Sequence, residues 1–88
     1  MKRDRKITVA ELLEMAENFK FTKPQQAIID RLATGDRLTV INQHHMSGGE
    51  FRWKSPNGNL DYAGKVYRAF FNIAYVVGVA SISDAIID

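Results

Sequence analysis

Arg52 and Lys54 alternate with Phe51 and Trp53 in "FRWKSPNGNLDY", residues 51–62. On an extended chain two cations separated by one residue point to the same side. Such a pair supplies charge-assisted donors for an anion, phosphate above all. Lys65 and Arg68 stand three apart where a third helix is expected to begin, so they share one side of it. Arg3, Arg5 and Lys6 lie in the N-terminal "KRDRK", a short basic arm able to extend the same surface. The candidate phosphate-binding set is therefore Arg52, Lys54, Lys65, Arg68, Arg3, Arg5 and Lys6. The same charges also suit a solvated sheet face and a frayed, soluble terminus.

Other chemistry finds little support in the residue types. His44 and His45 are adjacent, so on an extended chain they point to opposite sides, and the chain has neither a third histidine nor a cysteine to complete a metal site. Ser47 and Ser55 stand in no nucleophile-elbow motif, and there is no phosphate-binding or dinucleotide-binding glycine loop. Asp36, Glu50 and Asp61 would need the fold to bring them together. No catalytic residue, metal or cofactor is implied, and the chain is not expected to be an enzyme.

The elements that must position the basic residues read clearly in places. Thr8 with Glu11, and Thr22 with Gln25 behind Pro24, are capping boxes that open two helices. Val9, Leu12, Leu13, Ala16 and Phe19 line one face of the first, which is expected to end near Asn18. Ile28, Ile29, Leu32 and Ala33 form the inner stripe of the second, from Lys23 to about Thr34, and Gly35 stops it. "RLTVI" from Arg37 then changes to period two, a first strand, and "NQHHMSGGE" is read as a loop. Asn57-Gly58 predicts a two-residue type I′ turn between the second and third strands. In that register Phe51, Trp53, Leu60 and Tyr62 face inward, and Arg52 and Lys54 outward, with Asn57 and Asn59 at the tip. Val66, Phe70, Ile73, Ala74 and Val77 give a third helix from about Gly64 to Val77, stopped by Gly78, and "VASI" suits a last short strand.

The expected fold is α+β: two N-terminal helices, a three-stranded antiparallel meander, a C-terminal helix and a short strand. Its 88 residues suffice for one domain, taken as residues 8–88 behind a flexible basic stretch at 1–7. Absence of cysteine fits a reducing compartment, with the cytoplasm as default. Glu11, Glu14 and Glu17 interrupt any signal-peptide core, and "AFFNIAYVVGVASI" is shorter than the roughly 20 residues of a membrane span, so no membrane partner is expected. The net charge is only +2, but the segment from Lys20 to Arg68 carries eight basic residues against four acids. That mildly favours an anionic partner.

The run "FTKPQQAIIDRLATG", a strand, a hairpin and then "VYRAFFNIAYVVGVASI" resembles small winged-helix-like proteins encoded by phages and prophages. The resemblance covers about Phe21 to Ile82 and implies a compact domain for which DNA binding and transcription regulation are common roles. The helix pair here lies ahead of the whole meander, unlike a helix-turn-helix placed directly before its wing. The order helix, three strands, helix is also similar to the double-stranded RNA-binding domain, in which residues at the start of the last helix touch phosphates. Lys65 and Arg68 occupy that place.

Two functional expectations follow. One is a small nucleic-acid-binding or regulatory protein, with DNA or RNA held by its phosphates. The other is a non-enzymatic protein-interaction module, an inhibitor or adaptor of a host protein, or else a structural protein that forms homo-oligomers such as a homodimer. Its surfaces would be the acidic first helix, the aromatic third helix at Phe71 and Tyr75, or the C-terminal "DAIID".

Overall fold

The computed structural model describes residues 4–41, 50–64 and 66–87. The order is β1 (Lys6–Ile7), α1 (Val9–Met15) continuing into a 3-10 turn (Ala16–Asn18), α2 (Lys23–Ala33), β2 (Arg37–Ile41), β3 (Glu50–Lys54), β4 (Leu60–Tyr62), α3 (Tyr67–Val77), β5 (Ser81–Ile82) and β6 (Ile86–Ile87). The fold is thus a small α+β domain with mixed sheets. Among the described residues no helix is long and apolar enough to cross a membrane.

Local chemistry sets the helix ends. Thr8 Oγ1 accepts from the Glu11 amide at 3.1 Å, and the Glu11 carboxylate accepts from the Thr8 amide at 3.1 Å. Thr22 and Gln25 form the same reciprocal pair at the start of α2. α3 stops where Gly78 takes the left-handed conformation, φ 87°, and donates to Ala74 O at 2.9 Å. The apolar stripes then meet: Leu12, Ile28, Leu32, Leu38, Trp53, Phe70 and Ile73 are buried in one core.

Both chain ends contribute more than their sequence suggests. Lys6–Ile7 pairs in parallel with Ser81–Ile82, and Ile7 is buried. The ordered domain therefore includes residues assigned to a flexible N-terminal stretch. The C-terminal segment supplies two strands where one was expected, and the second, β6, adds in parallel to β2. The main sheet is consequently mixed and four-stranded, in the order β4-β3-β2-β6, rather than an isolated meander. Val9 donates to Asp84 Oδ1 at 2.6 Å and Leu38 to Ala85 O at 2.8 Å, so the C-terminal turn ties α1 to the sheet.

The hairpin departs from the two-residue turn. Gly58 donates to Ser55 O at 2.9 Å and Ser55 donates to Asn59 O at 2.9 Å. The loop is Pro56-Asn57-Gly58, with Gly58 at φ 94°, which is the three-residue loop closed by a glycine bulge. Proline explains the change: a two-residue loop would make Pro56 donate to Asn59 O, and Pro56 has no N–H. Ser55 makes that bond instead, which advances the register by one residue. Trp53 pairs with Asp61, Arg52 with Tyr62 and Lys54 with Leu60. A one-residue shift reverses faces, so Leu60 and Tyr62 lie outside with Arg52 and Lys54, 47% and 68% exposed. The inward placement of Leu60 and Tyr62 is corrected accordingly.

Candidate nucleic-acid interface

The outward face of the sheet is ordered in two rows across three strands. Arg37 pairs with Lys54, which pairs with Leu60; Thr39 pairs with Arg52, which pairs with Tyr62. Cross-strand partners share a face. Arg52 and Lys54 thus stand as expected on one side of β3, both half-buried, and the register adds Arg37 and Tyr62 to them.

Arg37 and Lys54 are like charges in directly opposed positions, an arrangement that costs stability in a sheet. Part of the Arg37 charge is engaged by backbone: its Nη1 donates to Leu32 O at 3.1 Å and to Asp36 O at 2.7 Å, capping the end of α2. An anion set over this row would relieve the repulsion.

The acid of β4 is turned away from the basic face. Asp61 shares the side of Trp53 and accepts from Arg31 Nη2 at 2.7 Å, while Arg31 Nε donates to Asp36 at 2.5 Å. The Arg31 guanidinium also lies 5.5 Å from the centre of the Trp53 ring. The bond to Asp36 first, and then that to Asp61, raises the Arg31 pKa above its ordinary value. Asp36 and Asp61 are thereby brought to one cation, so neither charge is presented to the outer face.

The hairpin loop continues the register of β2 and β3, which sets Pro56 opposite Gly35. A Cβ at Gly35 would meet Pro56 Cγ at 3.2 Å, so the proline ring rests against the turn that ends α2. Within the loop Ser55 Oγ donates to Asn57 Oδ1, and the Asn59 amide donates to Ser55 Oγ at 3.1 Å. Asn57 Oδ1 and the Asn59 amide are thus engaged inside the turn.

The remaining sequence candidates are distributed elsewhere. Arg5 is ion-paired with Glu11 at 2.9 Å beside α1. Lys6 is exposed on β1, in the two-stranded sheet. Arg68 is exposed in the first turn of α3. Arg3, Lys65, His44, His45 and Ser47 lie outside the described residues. Arg52 and Lys54 are therefore the two candidates gathered on one face. Arg37 and the outward Tyr62 were missed; Pro56 beside Asn57-Gly58 was the signal that would have placed Tyr62 outside.

Comparison with models of known families, with curated proteins and with solved structures gives no match.

Proposed function

We propose that the chain is a small nucleic-acid-binding or regulatory protein that holds phosphates on the outer face of its sheet, through Arg52 and Lys54 with Arg37 beside them. The observation that carries this reading is the register: three basic residues occupy neighbouring positions on one face, and Asp61 is turned to the other side. Arg52 and Lys54 are two residues apart along β3, about 6.8 Å, comparable to the step between successive phosphates of an extended strand. Contacts of this kind position a backbone and carry no base specificity. The winged-helix-like resemblance, with its phage or prophage source and cytoplasmic setting, belongs to the same proposal. The basic hairpin fits that resemblance, while the helix pair, set ahead of all three antiparallel strands, departs from it.

The test is a titration of labelled nucleic acid with the protein across a range of salt. Binding whose logarithm falls linearly with the logarithm of salt supports phosphate contact. Binding indifferent to salt, or none at low salt, overturns it.

A second reading rests on α3. Phe71, Tyr75 and Val76 are 52%, 64% and 38% exposed, while Phe70, Ile73 and Ala74 on the same helix are buried. An apolar groove of about 180 Å³ runs beside them, lined by Phe70, Phe71, Ala74, Ala80, Ser81 and Ile86. A second copy of the chain docking here would appear as a concentration-dependent mass, reduced to the monomer's by Phe71→Asp. A monomer at every concentration would remove this reading.

A further inference from the structure

Resting on the phosphate-binding reading, we infer that the ligand is a single strand, with a base stacked on Tyr62 while Arg52 and Lys54 hold its phosphates. Three placements lead there. Tyr62 is 68% exposed and lies on β4, an edge strand of the sheet, so its ring is open to a planar ligand from the side. It is the cross-strand partner of Arg52, which sets an aromatic surface beside a phosphate donor at about the 5 Å spacing of neighbouring strands. Gly64 also leaves one side of the ring open: a Cβ there would stand 3.7 Å from Tyr62 Cε2, and glycine has none.

The same geometry disfavours a duplex. A wing that reads a duplex projects into a groove, whereas here the cations stand on the strands of the sheet and the Pro56-Asn57-Gly58 loop carries none. A sheet face offering cations and an exposed ring in adjacent positions suits unpaired bases, which are free to leave one another and stack on protein. In a duplex the bases are already stacked, and Tyr62 would find no π-face to cover. Stacking on any base is sequence-tolerant, so the preference is for strandedness and not for sequence.

The experiment compares one labelled mixed-sequence DNA strand with the duplex it forms with its complement, by fluorescence anisotropy at low and physiological salt. The protein is tested as wild type, Tyr62→Ala and Tyr62→Phe, with circular dichroism to verify folding. The expected result is tighter binding of the single strand, weakened about tenfold in Tyr62→Ala and retained in Tyr62→Phe, with duplex binding equal in all three. Salt-dependent binding of both forms that Tyr62→Ala leaves unchanged overturns this inference while the phosphate-binding reading stands. Tighter binding of the duplex does the same. Binding of neither form overturns both.

Discussion

Trp53 faces Asp61 across β3 and β4, and that pairing decides the side taken by every other residue of the hairpin. It places Asp61 over the buried side, where Arg31 joins it to Asp36, and leaves Tyr62 beside Arg52 on the outside. Pro56 enforces the pairing by lacking the N–H that the alternative register needs. In that alternative Trp53 would face Tyr62. Deleting Pro56 is expected to keep Trp53 opposite Asp61, because Ser55 and Asn59 then close a two-residue Asn-Gly turn in the same register. Pro56→Ala removes the block and costs about 0.4–1 kcal/mol through the freer unfolded chain. Cross-strand NOEs from Trp53 to Asp61 check the first expectation, and urea unfolding the second.

The glycines at positive φ should differ in their tolerance of a side chain. Gly58→Ala and Gly78→Ala meet open space and carry only the conformational penalty, about 1–2 kcal/mol each. Gly35→Ala carries the same penalty and drives a Cβ to 3.2 Å from Pro56 Cγ, so its loss should be the largest of the three. Chemical denaturation of the three variants establishes the order.

Removal of Arg31 should be felt unequally by its two acids. Asp36 has a side chain 11% exposed and is left without its ion pair, whereas Asp61, 67% exposed, returns to water. Arg31→Ala is therefore expected to cost about 1–3 kcal/mol, and Asp61→Ala less than about 1 kcal/mol. Because the Arg31 pKa is raised, its contribution is complete below its ordinary value and is lost only as pH rises through the folded value. The stability difference between wild type and Asp61→Ala should be flat across neutral pH, because Arg31 keeps its charge throughout that range. Urea midpoints at several pH values measure this, and Trp53 emission should shift when the guanidinium above its ring is removed.

The two chain ends should prove interdependent. Truncation after Gly78 removes Val79, Ile82 and Ala85 from the core, the partner strand of β1 and the edge strand beside β2. Loss of cooperative unfolding is expected. Asp84→Ala is milder, about 1 kcal/mol, since it removes only the acceptor of the Val9 amide. Hydrogen exchange at Val9 should accelerate in that variant.

What was legible in the sequence was local. Both capping boxes, the glycine stop at Gly78 and the strand at Arg37 act within a few residues, so their types and spacing declare them. β1 and β6 are two residues long, too short for any periodicity, and exist because Lys6 meets Ser81 and Leu38 meets Ile86 across most of the chain. The basic pair on β3 was legible from alternation alone. Its neighbours were not, because Asn57-Gly58 alone signals a two-residue turn, whereas Pro56 beside it lacks the N–H that this turn needs. Arg37 escaped notice for a different reason: only the strand pairing brings it opposite Lys54.

The central claim is that the outer sheet face holds phosphates, and the most direct measurement is the salt dependence of single-strand binding by wild type and by the Arg52→Ala, Lys54→Ala double variant. Each phosphate contact contributes a slope of about 0.7 in the logarithmic plot for single strands. The account predicts that the double variant binds more weakly, with a slope smaller by about 1.4, and keeps the wild-type circular dichroism. A folded double variant with unchanged affinity and slope would contradict it.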